Sequence, residues 1–169
     1  MASPPSAPLT SPGTLACVGD CDVIGRRAGR VLLVDADNRV LLLRGFNPAA
    51  PAELFWFTIG GGIDPGESAA EAAARELLEE AGLAVDPADL GEPVWHRIAE
   101  FSFDGRRYRQ EEDYFLLRVE SLEVSLAGLD TIEQETVVGY RWWDAAGLKT
   151  VGEVFFPAEL PRLLSELTS

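Results

Sequence analysis

The chain has 169 residues, 47% of them hydrophobic and 25% charged, and a formal net charge of -14. This length and composition predict a single globular domain with a buried core, and no apolar run is long enough to span a bilayer. The acidic balance argues against a nucleic-acid polymer as the main partner, because binding its phosphates requires a basic surface.

The chain begins with MASPPSAPLTSPGT, which is rich in Pro and Ser and lacks the basic and apolar regions of a secretory signal. We therefore expect a flexible tail over residues 1–22, a folded domain over residues 23–169 and, by default, a cytoplasmic location. Cys17 and Cys21 have no second ligand pair near them, so we interpret them as unpaired thiols rather than a zinc site.

Strand-forming segments surround one strong helix signal. Two apolar runs in GRVLLVDADNRVLLLRG flank the turn-forming residues 35–38 and predict a hairpin, and LFWFTIGGG predicts a strand that enters a glycine-rich loop. Downstream, VWHRIAEFSFDGRRYRQEEDYFLLRVE predicts two long strands joined at Asp104-Gly105. A strand in VVGYRWW and two closing helices in DAAGLKT and PAELPRLLSEL complete the pattern. Mixed strands with few helices indicate an α+β fold, with a mixed sheet between helices.

The helix is predicted over residues 69–81. Ser68 and Glu71 form a capping-box pattern, which satisfies two amides at the start of a helix. Gly82 suits the left-handed position that follows the last helical residue.

Three carboxylates share one face of this helix. At about 100° per residue, the core-facing stripe consists of Ala70, Ala74, Leu77 and Ala81. Glu76, Glu79 and Glu80 fall in a separate arc, where like charges three or four residues apart repel one another. A solvated acidic face and a platform for a divalent metal both fit this spacing. The adjoining glycines at 60–62 favour the metal, because glycine lets the backbone approach a ligand closely.

The same stretch resembles the Nudix box, G-x5-E-x7-R-E-U-x-E-E-x-G-U, in which U is aliphatic. Every specified position matches, namely Gly61, Glu67, Arg75, Glu76, Leu77, Glu79, Glu80, Gly82 and Leu83. The order of strands and closing helices is also similar to that of the Nudix hydrolases, which are MutT-like pyrophosphohydrolases.

The resemblance implies an α/β/α sandwich and a hydrolase that uses Mg²⁺ or Mn²⁺ to cleave a nucleoside diphosphate linked to another moiety. The implied metal ligands are the Gly61 carbonyl, Glu76, Glu79 and Glu80. Glu76 is alternatively the base that orients water, and Glu67 and Arg75 would hold the loop against the helix. A cation among the carboxylates would explain why they are crowded on one helix face. In the reaction it would neutralise the charge of the pyrophosphate and lower the pKa of bound water.

Many Nudix enzymes place a further catalytic carboxylate shortly before a strand that ends in tryptophan. TIEQETVVGYRWW supplies Glu133 and Glu135, of which we prefer Glu135 because it lies closer to the strand. Glu111 and Glu112 are rival candidates, and alternation along a strand allows only one of them to face the site. A solvated carboxylate is the alternative for all four.

Substrate contacts are expected from arginines, which recognise phosphates with paired hydrogen bonds, and from aromatic rings, which stack on bases. The candidates are Arg44, Phe46, Trp56, Arg107 and Arg109. Surface solubility for the arginines and core packing for the aromatic residues are the alternatives. His96, the single histidine, is expected to be structural or exposed.

The expected partner is a small nucleotide, namely a nucleoside triphosphate, a nucleotide sugar or a dinucleotide, and homodimerisation through exposed strands is left open. Two functions compete with hydrolysis. A Nudix-fold nucleotide sensor has no need to keep the complete carboxylate set. An isomerase of the isopentenyl diphosphate type uses a catalytic cysteine and an altered box, whereas here both cysteines precede the first hairpin.

Overall fold

The computed structural model describes residues 22–169, so the tail over 1–21, with Cys17 and Cys21, lies outside the described residues. Within these residues the elements follow in the order β1 (Ile24–Val34), β2 (Val40–Asn47), β3 (Ala50–Gly62), α1 (Ala69–Ala81), β4 (Trp95–Phe103), β5 (Arg106–Arg118), α2 (Thr131–Thr136), β6 (Val137–Trp143), α3 (Ala145–Thr150), β7 (Val154–Phe156) and α4 (Leu160–Leu167). The predicted strands and helices are all present, and the six-residue helix α2 and the three-residue strand β7 are additions.

The strands form one mixed sheet. The order is β4-β5-β1-β2-β3-β7, with β6 paired to β2 and a further pairing between β1 and β3. At the predicted hairpin turn, Val34 of β1 pairs with Val40 of β2. Along its whole length, however, β1 pairs in parallel with β5. Strand β3 has 13 residues, so its middle pairs with β2 while its end, from Ile59 onward, pairs with β1. This geometry brings the glycines at 60–62 against β1.

The sheet lies between helices because its central strands are apolar on both faces. Leu41 packs in a cluster with Ala73 and Leu77 of α1, whereas its neighbour Leu42 packs in a cluster with Leu164 of α4. Successive side chains of a strand point to opposite faces. The α+β sandwich expected from the sequence is therefore confirmed.

Helix α1 begins and ends where the sequence predicts. The Ser68 side chain accepts a hydrogen bond from the Glu71 amide, Glu71 accepts one from the Ser68 amide, and Gly82 has a φ of 75°. The helix packs closely on β1 because Gly29 has no side chain, and a Cβ there would lie 2.1 Å from the Ala69 carbonyl oxygen. None of the helices in residues 22–169 has the length and apolarity that a membrane crossing needs.

Candidate metal centre

Three carboxylates from two helices converge beneath the end of β3. Glu76 and Glu80 of α1 are 5% and 1% exposed, and Glu133 of α2 is also buried. Each of the three offers an oxygen, and these oxygens all lie within 4.8 Å of one another. We call this set the carboxylate trio. The face of α1 that carries Glu76 and Glu80 is thus buried rather than solvated.

Hydrogen bonds fix the trio but leave one oxygen without a partner. Glu80 Oε2 accepts from the Gly60 amide at 2.8 Å, and Glu76 Oε1 accepts from Arg75 Nη1 at 2.8 Å. Glu76 Oε2 is buried and has no hydrogen-bond partner among the described residues. A buried anionic oxygen without a partner is costly, and a cation at this position would satisfy it.

The charges of the trio act against one another. Burial raises the pKa of Glu76 to about 7 against the opposing charge of Arg75, and Glu133 adds to the rise. Burial also raises the pKa of Glu80 well above its ordinary value, with Glu76 and Glu133 contributing, and burial raises the pKa of Glu133. Several oxygen ligands with excess negative charge suit a hard divalent cation. The donor set therefore fits Mg²⁺ or Mn²⁺.

Two other residues of the box lie beside the trio. The Glu79 side chain is 39% exposed and lies 3.5 Å from Arg75 Nη1, so it faces the rim and is not one of the trio. Gly61 is buried on β3, where it pairs with Gly29 and directly follows the glycine that binds Glu80.

A clamp made by Arg75 ties the loop to the helix. Arg75 donates to Glu67 Oε1 at 2.9 Å, to Glu67 Oε2 at 3.0 Å and to the Gly62 carbonyl at 2.9 Å. Glu67 Oε2 also accepts from the Asp64 amide at 2.9 Å. The hydrogen bonds from Arg75 lower the pKa of Glu67 against the effect of burial. Arg75 on the helix is thus bound to both the Glu67 carboxylate and the Gly62 carbonyl of the loop.

The structure brings Glu133, and not the preferred Glu135, to the trio, and it leaves Glu135 exposed. Residues 131–136 form a helix, and two positions apart on a helix point to different sides. Asp130 and Glu133 form a capping box that begins this helix. The sequence signal was therefore present, since DTIE has the same spacing as the cap of α1.

The rival pair on β5 splits as alternation requires. Glu112 is fully buried and binds Arg30 and Arg97, whereas Glu111 is partly exposed and lies 3.7 Å from Arg109. Burial alone would raise the pKa of Glu112, but the two arginines outweigh it and lower the pKa. Arg30 is a buried charge that the sequence did not single out; its signal is an arginine directly before the apolar run VLLV of β1.

The candidate substrate residues lie on three strands, β2, β3 and β5. Arg44 forms an ion pair with Glu153, and its guanidinium lies 5.2 Å from the centre of the Trp56 ring. Trp56 is buried and packs edge-on against Trp143, which favours the core alternative for this ring. Phe46 is partly buried at the end of β2, and Arg107 and Arg109 are exposed on β5. His96 is exposed, as expected, and hydrogen-bonds to Asp113 at 2.8 Å.

Comparison with known proteins gives consistent matches. The model of the NUDIX domain matches residues 25–161. The chain is 40% identical over 117 residues to the RNA pyrophosphohydrolase of Erythrobacter litoralis, covering 64% of this chain and 63% of that protein. It is 31% identical over 117 residues to the oxidized purine nucleoside triphosphate hydrolase of Danio rerio, covering 68% of this chain and 64% of that protein. The chain thus spans less than two thirds of the length of either relative.

Solved structures share the fold. A MutT NUDIX hydrolase from Burkholderia pseudomallei superposes with a TM-score of 0.60 at 20% identity, over 86% of this chain and 98% of that one. At this level of identity the likeness concerns the fold alone.

Proposed function

Because the chain belongs to the NUDIX domain family, we propose that it is a metal-dependent pyrophosphohydrolase that cleaves a nucleoside diphosphate linked to another moiety. The observation that carries this proposal is the carboxylate trio: an oxygen of each member lies within 4.8 Å of the others, and Glu76 Oε2 is buried without a hydrogen-bond partner among residues 22–169. The two relatives named as hydrolases of nucleotide phosphates support it.

The proposed cation is Mg²⁺ or Mn²⁺, held by Glu76 and Glu80. Glu79 at the rim and the carbonyl of Gly61 are proposed as further contacts. When bound, a divalent cation neutralises the charge of the pyrophosphate and lowers the pKa of bound water. The Arg75–Glu67 clamp keeps Glu76 and the loop in place while substrate enters.

Glu133 is the proposed proton acceptor for the water that attacks phosphorus. It is the one member of the trio that α1 does not carry, so it can take up a proton while Glu76 and Glu80 hold their places. Attack in line with the leaving phosphate then breaks the anhydride bond.

The proposed substrate is a small nucleotide. A net charge of -14 disfavours a long polyanion, and a cation at the trio supplies the positive charge for one pyrophosphate group. The names of the two relatives add RNA and an oxidised purine nucleoside triphosphate to the nucleotide sugars and dinucleotides worth testing. Homodimerisation and a cytoplasmic location stay predictions from the sequence.

The test is phosphate and pyrophosphate release from this panel, with Mg²⁺, with Mn²⁺ and with EDTA. We expect release that depends on the metal, is strongest for one substrate class and is lost in Glu80→Gln. Release in EDTA equal to that with metal would contradict the proposal. Silence across the panel, from folded protein that binds both metal and nucleotide, would favour the nucleotide sensor instead.

A further inference from the structure

A second buried charged cluster lies on the sheet beside the carboxylate trio. Its centre is Glu112 of β5, which accepts hydrogen bonds from Tyr114, Gln110 and Arg97 and lies 3.4 Å from Arg30 Nε. The side chains of Arg30 and Glu112 are both fully buried. Parallel pairing of β1 with β5 sets Arg30 opposite Tyr114, which brings the arginine to Glu112.

Arg30 connects this cluster to the trio through the backbone of β3. Its Nη1 donates to the carbonyl oxygens of Thr58 and Gly60, each at 3.1 Å. The amide of the same Gly60 donates to Glu80 Oε2 at 2.8 Å. The path from Glu112 to Glu80 therefore runs through one arginine and one glycine.

Gly60 lies where a side chain does not fit. Gly60 has a φ of 135°, and a Cβ there would lie 2.3 Å from the Gly29 carbonyl oxygen and 2.6 Å from Arg30 Cα. Close contact with β1 thus requires glycine at 60, and glycine leaves the backbone conformationally free. The hydrogen bonds from the Arg30 side chain add a restraint to the pairing with β1 that holds this backbone.

Stability alone does not account for the buried pair. Ion pairs lose hydration on burial, and well-packed apolar residues of similar volume are often at least as stable. An apolar side chain at position 30, however, would leave the carbonyls of Thr58 and Gly60 without this donor.

We propose that Arg30 and Glu112 are positioning residues for the metal site. Glu112 holds the Arg30 guanidinium against the Thr58 and Gly60 carbonyls, and Arg30 thereby fixes the Gly60 amide that orients Glu80. This inference rests on the proposed role of Glu80 as a metal ligand.

The experiment measures Mn²⁺ affinity from the electron paramagnetic resonance signal of the free ion, using the full chain. Arg30→Met removes the donor, Arg30→Lys keeps the charge without the forked geometry, and Glu112→Gln removes the charge that holds the arginine. The matched control is Leu164→Ala, which cuts a buried side chain on α4. We expect Mn²⁺ to bind about tenfold more weakly to the Arg30→Met and Glu112→Gln proteins, and less weakly to Arg30→Lys. Leu164→Ala should lower the Tm yet keep wild-type affinity.

A second readout does not depend on the metal. In a ¹⁵N-labelled metal-free protein, the amide resonance of Gly60 should move and exchange faster with solvent in Glu112→Gln, and stay in place in Leu164→Ala. If Arg30→Met does not fold, Arg30→Lys and Glu112→Gln decide the question by the same two measurements.

The outcomes separate this inference from the proposed function. Suppose that the wild type hydrolyses nucleotides and binds Mn²⁺. If Arg30→Lys and Glu112→Gln then bind Mn²⁺ as tightly as the wild type, the positioning role is wrong and the proposed hydrolase function is unaffected. Weakening of equal size in Leu164→Ala would also overturn it, since the effect would then follow stability. A wild type that binds no Mn²⁺ would overturn the proposed function and this inference together.

Discussion

Arg75 binds the carboxylate of Glu67 with two hydrogen bonds, 2.9 Å from Nε and 3.0 Å from Nη2. The same guanidinium donates to the Gly62 carbonyl and to Glu76 Oε1. One side chain therefore joins the loop, the end of β3 and a member of the carboxylate trio.

Weakening this clamp should impair catalysis more than folding. Glu67→Gln removes the charge that Arg75 faces, so we expect turnover to fall about 10–100-fold with a small change in Tm. Glu71→Gln is the matched control, because Gln also completes a capping box and Glu71 lies on the exposed side of the same helix. Steady-state rates and thermal melts measure both. Equal losses in the two variants would show that the clamp has no special role.

The proposed role of Glu133 can be tested by making the same substitution at Glu133 and at Glu135. The first residue belongs to the trio, and the second is an exposed neighbour two positions away. Glu133→Gln should lower kcat by about 100-fold or more, because an amide cannot accept the proton. Glu135→Gln should stay within about twofold of the wild type. Gln at 133 can still cap α2, so the melts should be similar. Loss of activity in Glu135→Gln alone would restore the original preference.

Local signals in the sequence were enough for helix α1. Ser68 and Glu71 determine where the helix begins, and Gly82 determines where it ends. The repeat of apolar residues determines its buried face. The matching capping box at Asp130 and Glu133 was equally local, but it precedes a helix of only six residues, which has little periodicity to reveal it. For the box residues, the sequence pattern left a solvated face and a metal platform open, and the burial of Glu76 and Glu80 argues against a solvated face for these two side chains.

Non-local pairing could not be predicted in the same way. A hairpin signal predicts that β1 and β2 meet at a turn, but it does not predict that β1 then pairs with β5 and β3. The contact of Arg30 with Glu112 depends on that pairing, so no spacing within either strand indicates it. Strand β7 has three residues, too few for an alternating pattern, and it forms only because the edge of β3 is available.

Crowding of the trio predicts a trade-off at Glu80. Glu80→Gln removes a buried carboxyl whose ionised form is disfavoured by burial, Glu76 and Glu133, and its amide oxygen can still accept a hydrogen bond from the Gly60 amide. In EDTA at pH 8 we expect a higher Tm than the wild type, by roughly 2–4 °C for each kcal/mol of repulsion relieved. Mn²⁺ should raise the Tm of the wild type but not of the variant, because only the former gains binding energy. Thermal melts with and without metal measure both effects; a variant stabilised by Mn²⁺ as much as the wild type would contradict the ligand assignment.

Acid should weaken the protein through Glu112. Burial alone would raise the pKa of this carboxyl, but Arg30 and Arg97 outweigh it and hold the pKa below the ordinary 4.5. Its ionised form therefore stabilises the fold above about pH 4.5, and that contribution is lost as the pH falls through the folded-state pKa. Glu112→Gln should lower the Tm at pH 7 by roughly 6–12 °C, equivalent to about 3 kcal/mol for leaving Arg30 without its partner. The Tm difference between Glu112→Gln and the wild type should shrink below pH 4.5. In the control Glu123→Gln, which changes an exposed residue, the Tm should stay close to that of the wild type at every pH. A gap that stays constant from pH 7 to pH 3 would mean that the charge of Glu112 contributes nothing.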